Sequence, residues 1–126
     1  MQQITQEEFE ELVADAIDLI PEKYQKRMDN IAFIVEDKPT NEQRARLRLN
    51  ERETLLGLYE GSPLPSRMGQ TKMLPDKITL FKIPLLTSSS DKEDLKEKIR
   101  HTVWHEVAHY FGLDHDRIDE LDEKRK

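Results

Sequence analysis

The sequence predicts a small α+β domain, and three observations predict it. Residues 31–35, 55–59 and 78–83 are short, apolar and rich in β-forming side chains, and each is bounded by turn or loop residues. Residues 5–20 and 90–111 instead carry apolar side chains at helical spacing behind a capping signature. Finally, 126 residues with 36% hydrophobic and 37% charged content can bury one small core and leave no room for a second. Residues 1–126 are therefore read as a single domain.

Composition narrows the chemistry. The chain has no cysteine, which excludes disulfides, iron–sulfur clusters, cysteine-ligated zinc and thiol catalysis. The net charge of −6 disfavours a general nucleic-acid surface. Glu7, Glu8, Glu10, Glu11, Asp15 and Asp18 crowd the first twenty residues, unlike a signal peptide, and no apolar run is long enough to span a bilayer. A cytoplasmic protein without a membrane partner is expected.

In the first helix, Phe9, Leu12, Val13, Ala16, Ile17 and Ile20 form one stripe. Thr5 and Glu8 can each satisfy the other's free backbone N–H, and Pro21 limits the far end. The run Ile31-Ala32-Phe33-Ile34-Val35 reads as a buried strand, followed by a loop through Asn41. Residues 42–53 are charged, and a ragged helix competes there with a loop. In the second strand, Gly57 signals a bulge or a close backbone approach. Residues 61–75 hold three prolines and two glycines and read as a long loop. The third strand runs into Pro84, which lacks an N–H for a ladder, so it is expected at a sheet edge. Residues 87–90 read as a polar loop, and Ser90 with Glu93 as the capping box of the next helix. Leu95, Ile99, Val103, Val107 and Phe111 give that helix its buried stripe, and Gly112 its left-handed stop. The charged tail, 114–126, has only Ile118 and Leu121 to anchor a short helix.

The chemistry lies at the end of the long helix, in His105-Glu106-Val107-Ala108-His109-Tyr110-Phe111-Gly112-Leu113-Asp114-His115. His105 and His109 stand one turn apart, so both imidazoles leave the same face. Zinc takes such nitrogens at roughly 2.0–2.1 Å. Glu106 would sit beside the fourth coordination position and take a proton from the water there. Gly112 lets the chain reverse so that His115 returns as third ligand, leaving the open position a catalytic zinc needs. Chance would produce this HExxHxxGxxH pattern in about 1 in 10⁵ chains of this composition.

These residues resemble the zincin metallopeptidases, and the eleven-residue motif alone matches the metzincin pattern. Metzincins place a methionine-containing turn downstream, whereas Met1, Met28, Met68 and Met73 all lie upstream here. A wider resemblance is to the small bacterial zincin-like metallopeptidases, or minimal zincins. It runs through Leu56-Gly57-Leu58-Tyr59-Glu60-Gly61-Ser62-Pro63-Leu64 and Leu74-Pro75-Asp76-Lys77-Ile78-Thr79-Leu80-Phe81 into the histidine helix. The resemblance implies a small mixed sheet with flanking helices, a long active-site helix, a Zn²⁺ cofactor and hydrolysis of a peptide or protein substrate. That family often has an acidic residue where this chain has His115, so Asp116, Asp119 and Glu120 compete with it as third ligand. The resemblance also places Tyr59 and Arg67 near the metal, where a phenol or guanidinium would stabilise an oxyanion; packing or surface pairing competes with that role. It likens strand 78–83 to the zincin strand that pairs with an extended peptide.

His101 precedes His105 by one turn and reads first as a packed or solvated polar residue. Trp104 points about 100° away from His105 and reads as core or interface. Two other functions stay open. Metal-dependent endoribonucleases that mature ribosomal RNA share the histidine spacing but usually lack glutamate after the first histidine. A non-catalytic metal-binding interaction module would keep the shape without the reaction.

Overall fold

The computed structural model describes residues 4–50, 54–61 and 76–113. In chain order these form α1 (Gln6–Asp18), α2 (Glu22–Gln25), β1 (Ile31–Glu36), α3 (Asn41–Arg46), β2 (Gly57–Glu60), β3 (Asp76–Phe81), α4 (Lys82–Ser88) and α5 (Lys92–Tyr110). The architecture is the expected small α+β fold with a three-stranded mixed sheet and a long helix, α5, last among the described elements. Among the described residues no helix is long and apolar enough to cross a membrane.

The predicted caps explain the first helix. Thr5 accepts from the Glu8 N–H at 3.0 Å, and the Glu8 carboxylate accepts in return from the Thr5 N–H. Phe9, Val13, Ala16 and Ile20 are buried along one side. They pack on α5, whose Leu95, Ile99, Val103 and Val107 are fully buried, as the stripe requires.

The ambiguous stretch after Asn41 begins as a helix. Thr40 and Gln43 form a reciprocal capping box, with N···O distances of 3.0 and 2.9 Å, and this box starts α3.

The sheet corrects one expectation. Strand order is β1-β3-β2, so β3 is the central strand and not an edge. It pairs parallel with β1, Ile31 opposite Asp76 and Val35 opposite Leu80, and antiparallel with β2, Gly57 opposite Leu80 and Tyr59 opposite Ile78. Pro84 imposes no edge because it is not in the strand: β3 stops at Phe81 and Pro84 occupies the first turn of α4. A first-turn N–H has no partner inside its helix, so its absence costs nothing there. Ile83, Thr87 and Ser88 likewise belong to α4 rather than to a strand or loop. Burial agrees with the central position, since Ile78, Thr79, Leu80 and Phe81 are all shielded whereas β1 is only half-buried.

The cap of α5 also differs. Asp91, not Ser90, is the N-cap; its carboxylate accepts from the Asp94 N–H at 2.8 Å, while Asp94 accepts from the Ser90 N–H at 2.9 Å. Starting one residue later lets two carboxyl groups, rather than a hydroxyl, meet the free amides.

Candidate metal and catalytic site

At its far end α5 stops at Gly112, which adopts the left-handed φ of 74°. Gly112 donates to the His109 carbonyl at 2.9 Å and Leu113 to the Ala108 carbonyl at 3.0 Å, the paired bonds of a Schellman turn. The turn closes the helix directly after the histidines.

His105 and His109 are both half-buried on that last stretch, with ring centres 4.7 Å apart. His101 continues the row one turn earlier. It is exposed, and its ring centre lies 6.2 Å from that of His105. Trp104, on another side of the helix, is buried in the core edge-to-face with Tyr24. His115, Asp116 and Arg67 lie outside the described residues, as do the stretches expected as a tail helix and, beyond Gly61, as a long loop.

Glu106 points toward the sheet, and β2 explains how. Phe81 donates to the Leu56 carbonyl at 2.9 Å, so alternate residues of β2 bond to β3. Gly57 and Tyr59 are the residues between, and their main-chain groups face the open side of the strand. There the Tyr59 N–H donates to Glu106 Oε1 at 2.9 Å. The approach depends on Gly57. A Cβ at that position would lie 2.6 Å from Thr102 Cγ2, 3.2 Å from the Thr79 carbonyl oxygen and 3.4 Å from Glu106 Cγ. Of the two readings the sequence offered for Gly57, the close backbone approach is the one found.

Burial dominates the electrostatics of Glu106. The residue is 8% exposed, and desolvation pushes its carboxyl up to about 7; the Tyr59 amide offsets only part of this. A carboxyl poised near neutrality can hold a proton or release it under ordinary conditions. Beside it opens a cleft of about 240 Å³, lined by Thr54, Leu56, Gly57, His101, His105 and Glu106.

The Tyr59 phenol points to the buried Asp76. Its hydroxyl donates to Asp76 Oδ2 at 2.6 Å, and its ring meets Tyr110 edge-to-face at 6.2 Å. Asp76 is wholly buried. Sequence reasoning missed it as a site residue, although it lies in one of the two segments that carried the family resemblance.

In donor type and spacing, His105 and His109 fit zinc: two imidazoles one turn apart on one helix face. Among the described residues no group of three or more His, Asp or Glu side chains converges on a common point.

A helix presenting two histidines and a glutamate against the open strand of a small mixed sheet defines a zincin-like architecture. A family model described as zincin-like metallopeptidase matches residues 28–125. The chain belongs to this family. No curated protein matches it at a significant level. Among solved structures it is similar to a conserved hypothetical protein from Thermo thermophilus, with 24% identity and a TM-score of 0.57 over 95% of this chain and 99% of that one. At that identity the likeness speaks for the fold alone. The matched family segment begins after α1, yet α1 supplies much of the cover for α5.

Proposed function

We propose that the chain hydrolyses peptide bonds, with His105, His109 and His115 as ligands of one zinc ion and Glu106 as general base. A bound zinc would supply Lewis acidity, polarising a scissile carbonyl and acidifying water. The protein's own part falls to Glu106. Its carboxylate takes the proton from the attacking water and delivers it to the leaving amine. The observation that carries this reading is the position of that carboxylate: buried, next to His105 in sequence and in the cleft, and raised close to neutrality. His115 is the preferred third ligand because the Gly112 turn redirects the chain three residues before it, and an imidazole suits zinc better than a tail carboxylate. Family membership favours a peptide substrate over RNA, and the net charge of −6 points the same way.

Two measurements test the proposal. Calorimetry with zinc should show one tight site that is lost in His105→Ala and in His115→Ala. A peptide-library assay should show cleavage by the zinc-loaded wild type, and Glu106→Gln should lower it roughly 10²–10⁴-fold while keeping the zinc. Loss of zinc in Glu106→Gln would make Glu106 a ligand, and unchanged zinc affinity in His115→Ala would transfer that role to another residue.

A further inference from the structure

Three residues that the proposed reaction leaves unused meet behind Glu106. β2 has only four residues, bonds among the described residues to a neighbouring strand on one side alone, and has a glycine at its start and another just after its end. Such a strand is prone to fray. Its Tyr59 N–H is nevertheless the group that holds the Glu106 carboxylate, at 2.9 Å.

Tyr59 is fixed from the other end. Tyr59 pairs with Ile78, and Asp76 lies two residues before Ile78, on the same sheet face. The phenol crosses this diagonal to reach the buried Asp76 carboxyl at 2.6 Å, a short O–H···O bond. Tyr110 of α5 packs edge-on against the ring, and the Tyr110 hydroxyl is itself tied to the main chain of Asp29. Gly61 closes the corner. Its φ is +155°, and a Cβ there would stand 2.4 Å from Asp76 Cγ and 2.5 Å from Oδ1. The chain thus keeps a side chain out of the space the carboxyl fills.

We infer that Asp76 and Tyr59 are positioning residues for Glu106: the buried Asp76 carboxyl clamps the Tyr59 phenol, and the clamp holds the end of β2 so that the Tyr59 amide fixes the general base. On this account the Tyr59 phenol is an anchor and not an oxyanion donor. The inference rests on the reading of Glu106 as base, but its structural half can be measured without any substrate.

The test is amide hydrogen exchange of the full-length, metal-free chain by NMR. The Tyr59 amide should be protected in the wild type despite facing the open side of the strand, and Glu106→Ala should expose it. Tyr59→Phe and Asp76→Ala should reduce protection at position 59 at least tenfold, while the Leu58 and Glu60 amides, which face β3, keep theirs. Asp76→Asn, whose amide oxygen still accepts from the phenol, should restore most of it. Protection at position 59 within twofold of wild type in both Tyr59→Phe and Asp76→Ala would overturn the inference. So would an equal loss across all sheet amides, which would mark the pair as structural only. On a peptide that the wild type cleaves, Tyr59→Phe should lower kcat roughly 10- to 100-fold with KM little changed. The reverse split, KM raised and kcat kept, would also overturn it. If the wild type cleaves no peptide, the peptidase proposal has failed, and the exchange data still decide whether the clamp holds Glu106.

Discussion

Glu60 and Glu106 both bear on β2, and the strand separates two opposite electrostatic settings. On one side, Glu60 meets the Arg46 guanidinium, the Gln43 amide at 3.1 Å and the Lys77 ammonium at 3.6 Å. Burial acts to raise its pKa, but the Arg46 hydrogen bond, the Lys77 charge and the Gln43 hydrogen bond together outweigh it, and the carboxyl is held below its ordinary value. On the other side, Glu106 receives one amide hydrogen bond and, among the described residues, no cation, and burial carries it up to about 7. The same side chain is a fixed anion in one place and a proton carrier in the other. The difference is in partners: cations favour the charged form, whereas one neutral donor does not compensate for lost water.

The largest effect should come from removing the uncompensated charge. The folded pKa of Glu106 lies above its unfolded value of 4.5, so its contribution is most favourable below pH 4.5 and is lost as the pH rises through about 7. At pH 8 the ionised, buried form costs about 3 kcal/mol. In the metal-free protein Glu106→Gln should therefore be more stable than wild type at pH 8, by up to that amount, and the gain should vanish towards pH 4.5. Urea melts in a chelator at both pH values measure it. A gain independent of pH would break the contrast with Glu60.

A smaller effect should follow from pushing β2 away from α5. Gly57→Ala sets a methyl group 2.6 Å from Thr102 Cγ2, and such overpacking costs about 1–3 kcal/mol. Thr102→Ser removes that Cγ2 and should recover part of the loss in the double variant. Additive thermal-denaturation effects would mean that the helix and strand do not touch as described. The smallest effect belongs to Glu60. Its folded pKa is depressed, so the stability it contributes is present above pH 4.5 and lost as the pH falls. Glu60→Gln should cost roughly 1 kcal/mol or less at pH 7, because the partners are partly exposed and screened, and progressively less as the pH falls below 4.5. Relative to their Gln variants, Glu60 and Glu106 should thus give pH slopes of opposite sign in the same chemical-denaturation experiment.

What the sequence revealed was mainly local. The Thr5–Glu8 box, the buried stripes of α1 and α5 and the Gly112 stop each depend on residues within a few turns, and all are found. The HExxH spacing places His105, Glu106 and His109 on one helix for the same reason. The Thr40–Gln43 box was equally local but went unread beneath the charged run that follows it. Pro84 misled because its consequence depends on where the strand ends, which α4 decides. The bond between Tyr59 and Glu106 joins positions 47 apart, and that between Tyr59 and Asp76 joins positions 17 apart. Neither has a periodicity or spacing that announces it. Gly57 was the exception, a single residue whose missing side chain hinted at a distant neighbour.

The order of elements along the chain carries a consequence for biosynthesis. α1 packs on α5, the first described helix on the last described one, and β1 must wait for β3 to form its parallel pair. Contacts so distant in sequence make folding slow and leave apolar surface uncovered until the partner segment arrives. On the ribosome, α5 emerges after all three strands. A nascent chain stalled before it would expose Phe9, Val13, Ile78 and Leu80 and would contain neither His105 nor Glu106. The proposed hydrolytic machinery and the cover for the core are therefore delivered by one segment, so an unfinished chain is at once unprotected and inert.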